Sequence, residues 1–175
     1  MTTPTQLLRE EHRVILRAIV LLEVAAGRLE AGGTLPAGWW ESLLEWLRAF
    51  ADRNHHAKEE AYLFPALAQA GVPTASGPVG VMLEEHTEGR ALIQRMAEGP
   101  GPQRTAAARR YTQLLREHID KENGVLFPLA DAVLDAPGQA QLMRAFEKAE
   151  AEQGPAASPE RAEALVDRLA AALGH

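Results

Sequence analysis

This sequence of 175 residues contains no cysteine. That excludes disulfides, thiolate nucleophiles, cysteine-built zinc fingers and cysteine-ligated iron–sulfur clusters. Aromatic residues make up only 5% and β-branched residues are scarce, while Ala, Leu, Glu and Arg dominate. Little here favours a sheet, and the composition predicts helix throughout. No basic run occurs and the net charge is −6. Nucleic acid is therefore not an expected partner, because phosphate contacts need clustered Lys and Arg. No apolar run is long enough to cross a bilayer, so no membrane contact is expected. Met1-Thr2-Thr3-Pro4 offers no apolar signal core, and a cytoplasmic location is the expectation. The length suits one domain with a core of its own.

What the sequence does have is a repeat. The stretch from His55 to Pro65 aligns without a gap on the stretch from His118 to Pro128. The two share His, Lys three residues on (Lys58, Lys121), Glu four residues on (Glu59, Glu122), and then Leu-Phe-Pro. His and Glu four apart share one helix face, so both can point at one metal ion. A second repeat relates Leu8-Arg9-Glu10-Glu11-His12 to Met82-Leu83-Glu84-Glu85-His86.

Four long helices are predicted around these motifs. The first runs from Thr3-Pro4, with Gln6 completing a capping box, to about Glu30. Its apolar seam is Leu8, His12, Ile15, Ile19, Leu22, Ala26 and Leu29, the alternating step of a bundle helix. The second follows Pro36 and reaches about Ala70, with a seam that passes through Ala51, His55, Glu59, Tyr62 and Ala66. The third spans about Pro78 to Glu98 through Met82, His86 and Gly89. The fourth spans about Gln103 to Leu134 through Leu114, His118, Glu122, Val125 and Leu129. Pro65 and Pro128 should kink the second and fourth helices. A fifth helix is expected from Pro137 to about Glu152, with Leu142, Ala145 and Phe146 facing the bundle. The bundle with this fifth helix is taken as residues 1–153, and residues 154–175 as a linker and a short amphipathic helix. That last helix, with Leu165, Val166, Leu169 and Leu173, is expected to pack on the bundle or on a dimer partner.

The chain thus reads as two helical hairpins in tandem. Residues equally far from a hairpin turn lie at one height. The midpoint between His12 and His55 falls at Gly33-Thr34, and that between His86 and His118 at Pro102. Both midpoints are predicted turns. Four seam histidines and two seam glutamates therefore converge on one layer of a four-helix bundle. Such a layer is costly unless something satisfies it, and metal ions do so. Imidazole and carboxylate without thiolate suit iron, manganese or zinc. Two carboxylates can bridge two metals, as bundle cores commonly show.

The repeated His-x3-Glu-x3-Leu-Phe-Pro, with Glu-His on the first and third helices, resembles the haemerythrin-like (HHE cation-binding) family over roughly Thr5 to Glu150. The resemblance implies an all-α, up-down-up-down four-helix bundle holding a non-haem di-iron centre. The iron pair would be oxo- or hydroxo-bridged and carboxylate-bridged. Carried over by position, the ligands are His12, His55, Glu59, His86, His118 and Glu122, with Glu59 and Glu122 bridging. His12 pairs with His55 and His86 with His118, or the pairs cross between hairpins.

Other positions stay open. His56 and Glu60 have the ligand spacing too, but only His55 and Glu59 keep the offset to Leu-Phe-Pro, so His56 and Glu60 are expected at the rim or behind the ligands. Arg90 stands where the family's oxygen carriers have a further His, so reversible oxygen carriage is not the first expectation. Arg90 either donates to anions or to Glu ligands, or extends to solvent. Tyr62 and Tyr111 either bond a ligand or fill the core. Glu11 and Glu85 either lie behind ligands or are solvated. By resemblance the small ligand is dioxygen, nitric oxide or peroxide. The expected role is oxygen binding or sensing, or protection from oxidative and nitrosative stress. An enzyme turning over peroxide or nitric oxide, and a metal-storing bundle, are the alternatives. The family's repair proteins of nitrosative stress share the ligand set but carry a cysteine-bearing N-terminal segment, which this sequence lacks. A monomer or homodimer is expected.

Overall fold

Thr3 sets where the chain begins to coil. In the computed structural model, which describes residues 2–154 and 158–174, its hydroxyl accepts from the Gln6 backbone N–H at 3.2 Å. The Gln6 side chain in turn accepts from the Thr3 N–H at 2.8 Å. This reciprocal cap satisfies two donors that a helix start leaves orphaned. Helix α1 follows over Pro4–Glu30. It stops where Gly32 takes φ of 78°, a conformation that is cheap only for glycine.

The second arm changes helix type along its length. It starts as α2 (Trp39–Trp46) and widens into π-helical stretches at Leu47–His56 and Glu59–Leu63. It ends as α3 (Phe64–Gln69). The third arm is α4 (Gly77–Glu98). The chain then turns at Gly99 and Pro100 into α5 (Gly101–Lys121), a π-helical stretch at Glu122–Leu126, and α6 (Phe127–Val133). Each of α1 and α4 packs against both α5 and the second arm, which closes a four-sided all-helical bundle. Among the described residues there is no strand. Among these residues, too, no helix is long and apolar enough to cross a membrane.

Both His-x3-Glu motifs run into a π-helical stretch that ends just before Phe-Pro. The expected proline kinks at Pro65 and Pro128 take this form. Proline has no N–H to donate, and its ring crowds the carbonyl four residues back. A wider turn relieves both problems without breaking the arm. The wide turn also holds one extra residue, so the seam beyond it moves one place along the chain. Tyr62, Ala66, Val125 and Leu129 were the expected core positions, and this is corrected. The buried residues are Leu63, Leu67, Leu126 and Ala130, while Val125 is 54% exposed.

Two further helices cover the bundle. Asp135 caps α7 (Ala136–Gln153) by accepting from the Gly138 N–H at 2.8 Å. This helix buries Leu142, Phe146 and Ala149, with Ala149 in place of the expected Ala145. Helix α8 (Pro159–Leu173) lies along α1 and α2. The indole N–H groups of Trp39 and Trp46 donate to the carbonyls of Leu169 and Ala162, at 2.9 and 3.0 Å. Ala162, Val166, Leu169 and Leu173 join the same apolar cluster as α1 and α2. The expected linker falls mainly on residues 155–157, outside the described residues.

The apolar core comes in two clusters. One holds Ile15, Ala51, Ile93 and Leu115, and the other Leu8, Leu63, Met82 and Leu126. On every arm the motif histidine lies between a residue of the first cluster and one of the second. A polar layer is thus sealed from water at both ends. The register shift has a direct test in urea denaturation of the metal-free protein. Leu126→Ala should cost about 2–5 kcal/mol and Val125→Ala no more than about 0.5 kcal/mol. The reverse ranking would mean that the seam runs through Val125 unbroken.

Candidate metal centre

The layer between the two clusters contains His12, His55, Glu59, His86, His118 and Glu122, none more than 1% exposed. The imidazoles meet in pairs within each hairpin. His12 Nε2 faces His55 Nε2 at 2.9 Å, and His86 Nε2 faces His118 Nε2 at 3.2 Å. Each glutamate spans both pairs. Glu59 directs one oxygen at His55 Nε2 (3.7 Å) and the other at His86 Nε2 (3.4 Å). Glu122 directs one at His12 Nε2 (3.0 Å) and the other at His118 Nε2 (3.3 Å). These contacts are close yet not aligned for hydrogen bonding. All four carboxylate oxygens are buried without a hydrogen-bond partner.

Four orphaned carboxylate oxygens among four inward-facing imidazole nitrogens form an unfavourable arrangement for protein atoms alone. The same arrangement suits two cations, each facing one imidazole pair and one oxygen of each carboxylate. The donor atoms of His12, His55, Glu59 and Glu122 lie within 4.8 Å of one another, and so do those of His56, Glu59, His86 and His118. The donors are nitrogen and oxygen only, which fits iron, manganese or zinc. Without a cation the two carboxylates repel. Burial and the neighbouring Glu122 push the Glu59 carboxyl well above its usual range. Burial also raises Glu122, but His118 and His12 outweigh it and hold that carboxyl low.

The repeats explain how the imidazoles are aimed. His55 Nδ1 meets Glu11 at 2.8 Å, and His118 Nδ1 meets Glu85 at 2.9 Å. Those glutamates are the residues preceding His12 and His86. In the reverse direction, His86 Nδ1 meets Glu60 at 2.7 Å, and His12 Nδ1 meets Asn123 Oδ1 at 3.1 Å. Glu60 and Asn123 occupy the same slot in the two copies. Each imidazole therefore has its outer nitrogen fixed by an oxygen and its inner nitrogen free to bind, the arrangement usual behind metal-bound histidine. The repeated lysine completes the pattern. Lys58 pairs with Glu11 and also with Glu150 of α7, and Lys121 pairs with Glu85. Lys58 is fully buried, whereas Lys121 is 41% exposed.

Several open positions resolve. Glu11 lies behind His55 at 0% exposure, with its carboxyl raised by burial against the pull of Lys58. Arg90 neither reaches the ligand glutamates nor extends freely. It donates to Asp52 at 2.9 Å and to Glu60 at 2.8 Å. Tyr62 stacks edge-on against Phe146, away from the layer. Tyr111 is buried and lines a cavity of about 10 Å³ with His86, His118, Gly89, Ile93 and Arg90. The expectation for His56 is a place at the rim or behind the ligands; the rim is corrected, since it is 5% exposed and its donor nitrogen lies within 4.8 Å of those of Glu59, His86 and His118. Sequence spacing missed it because a π-helical stretch turns less per residue than an α-helix. Neighbouring His55 and His56 both face inward.

Comparison with known proteins follows the same lines. The profile described as Hemerythrin HHE cation binding domain matches residues 3–130. An uncharacterized protein of Mycobacterium tuberculosis is 29% identical over 160 residues, covering 86% of this chain and 62% of that protein. The iron-sulfur cluster repair protein YtfE of Salmonella newport is 32% identical over 136 residues, covering 69% of this chain and 60% of that protein. The chain thus spans about three fifths of the length of these relatives. No solved structure matches it.

Two predictions follow from the geometry. Lys58→Met leaves the buried Glu11 without its lysine partner, and should destabilise the metal-free protein by roughly 3–5 kcal/mol. Lys121→Met, at the equivalent exposed site, should cost no more than about 1 kcal/mol; equal costs in urea denaturation would contradict the difference in burial. The second concerns pH. Burial lowers the pKa of metal-free His118, but Glu122 and Glu85 outweigh it and raise the value to about 9. A raised value stabilises the fold below the ordinary 6.5, and that stability is lost as pH rises through about 9. Thermal melts of the metal-free protein should show Tm falling over that window, and His118→Gln should flatten the slope.

Proposed function

This chain belongs to the hemerythrin HHE cation binding domain family, and on that premise we propose a di-iron centre for small-molecule binding in the response to oxidative or nitrosative stress. The proposed ligands are His12 and His55 for one iron and His86 and His118 for the other, bridged by Glu59 and Glu122. One observation carries this reading. Two buried glutamates leave all four oxygens unpartnered, each aimed at a different imidazole. The relative named as an iron-sulfur cluster repair protein supports both iron and a stress role. Manganese and zinc are the other metals this donor set admits.

When bound and reduced, iron with an open coordination position supplies reversible binding of dioxygen or nitric oxide. The protein's own residues decide what reaches it. The two apolar clusters close the layer at both ends. The cavity beside His86 and His118 has room for about one water-sized molecule. Its walls are Gly89, Ile93, Leu114 and Leu115, with Arg90 and Asp52 at the outer side. Several titratable groups in or near it are shifted from their usual range. Burial pushes the Tyr111 hydroxyl above its usual range. The hydrogen bond from His86, helped by Arg90, holds Glu60 low. Burial raises Asp52, but His56 and Arg90 outweigh it and hold that carboxyl low.

The test is iron per chain after anaerobic loading, with absorption spectra before and after nitric oxide, oxygen and azide. Two irons, a near-ultraviolet band shifted by azide, and a spectral change with nitric oxide are expected. His118→Ala should lose at least one iron. Full zinc occupancy with no iron uptake would reduce the protein to a metal-stabilised bundle. Rapid peroxide consumption by the iron form would place turnover above binding.

A further inference from the structure

The two hairpins are related by an approximate two-fold repeat that superposes Glu11-His12 on Glu85-His86, and His55-x3-Glu59 on His118-x3-Glu122. Outside the motifs the equivalences loosen, and one polar cluster beside the layer has apolar counterparts. His56 corresponds to Ile119, Asp52 to Leu115, and Arg90 to Leu16. Where the fourth arm meets α1, these equivalents are apolar: Ile119 and Leu115 are buried in the larger apolar cluster, and Leu16 packs against it. Where the second arm meets α4, the residues are polar and joined in a chain. Arg90 donates to Asp52 at 2.9 Å, and Asp52 Oδ1 stands 3.6 Å from His56 Nδ1.

The fold does not require this chain, because the repeat-related place between the fourth arm and α1 does without it. An isoleucine at the position of His56 would bury apolar surface with no polar atom to satisfy. The histidine instead leaves Nε2 buried with no hydrogen-bond partner. An orphaned buried nitrogen of this kind is destabilising, because its lost hydration is not replaced. Its surroundings show what it can serve. The His56 ring stacks on His86 with centroids 3.9 Å apart and meets His118 edge-on at 5.6 Å. Its donor nitrogen lies within 4.8 Å of those of Glu59, His86 and His118. Its outer nitrogen faces Asp52, as the outer nitrogens of the other four imidazoles face Glu11, Asn123, Glu60 and Glu85.

The backbone carries the same asymmetry. Ahead of His55 and His56 the second arm is π-helical over Leu47–His56. Ahead of His118 the fourth arm is α-helical through Lys121. A π-helical stretch has a local cost, is rare, and is found mostly at functional sites. Here its consequence is to turn two successive histidines into one layer.

We infer that His56 is a fifth imidazole donor, to the metal position of His86 and His118, so that three imidazoles face one metal and two face the other. The inference rests on the six-residue ligand set proposed above and adds a seventh residue to it. Arg90 and Asp52 then act as positioning residues. Arg90 fixes Asp52, and Asp52 holds the His56 ring so that Nε2 faces inward. The two metal positions are unequal in donor number, and the position with more nitrogen borders the cavity.

The test compares wild type with His56→Ile, the residue that the second copy carries at this place. In iron-57-loaded oxidised wild type, Mössbauer spectra should show two doublets of equal area. In His56→Ile the doublets should converge, and one of the two irons should pass to a chelator at least ~10-fold faster than in wild type. Unchanged spectra and unchanged chelator kinetics would overturn the inference. A second measurement needs no variant and covers a variant that fails to fold. In cobalt(II)-loaded wild type, coordinated imidazoles give exchangeable, paramagnetically shifted N–H proton resonances. Five support the assignment and four refute it. Wild type that takes up no metal, or His118→Ala that keeps full metal, would instead overturn the ligand set itself.

Discussion

The structure depends on Glu59 and Glu122 lying side by side in a layer that water does not reach. Two carboxylates with four unpartnered oxygens cannot be a neutral filler of a helical core. Like charges repel, and burial opposes ionisation of either one. The surrounding atoms moderate this without removing it. His12 and His118 hold Glu122 in its ionised form, while burial and Glu122 together drive Glu59 towards protonation. A pair of cations facing both carboxylates removes the conflict at once. Bringing the four arms together around this layer therefore makes sense for a bundle that folds around metal.

The second constraint is orientation. A metal-bound imidazole is aimed, and its tautomer fixed, by an oxygen that holds its other nitrogen. Here the outer nitrogen of each of the four motif histidines faces an oxygen from another arm, and the arms take this role in turn. The first and third arms orient the histidines of the second and fourth through Glu11 and Glu85. The second and fourth arms orient those of the first and third through Glu60 and Asn123. The lysines three residues after His55 and His118 neutralise Glu11 and Glu85. Only Lys58 is sealed from solvent, because α7 covers that side and supplies Glu150 as a further partner. The fifth helix is thus tied by charge as well as by Phe146 to the arm that carries two successive histidines.

The π-helical stretches link the backbone to this chemistry. Wherever a His-x3-Glu motif is followed by Phe-Pro, the turn between them widens. Proline is accommodated, the apolar seam shifts by one residue, and the arm continues. Among the described residues, the additional stretch before His56 lies in the second arm, and it coincides with a place beside the layer where polar residues have apolar counterparts in the repeat. The internal repeat accounts for the shared layer, and the departure from it at His56, Asp52 and Arg90 sets the two sides apart.

The sequence alone determined the helical class, the four arms to within a few residues, the capped start at Thr3, and the convergence of His12, His55, Glu59, His86, His118 and Glu122. All of these follow from local capping, from the spacing of residues on a helix face, and from distances to hairpin turns, which are readable one segment at a time. The relative placement of the doubled His-Glu motifs also ordered the choice between His55 and His56 as the aligned member. Tertiary structure alone decided the rest. The burial of Leu63 and Leu126 in place of Tyr62 and Val125 depends on a widened turn that α-helical spacing does not describe. The position of His56, the pairing of imidazoles within each hairpin, and the depth of Lys58 depend on what lies across from them on other arms. Those neighbours are distant in sequence, and no periodicity within one helix specifies them.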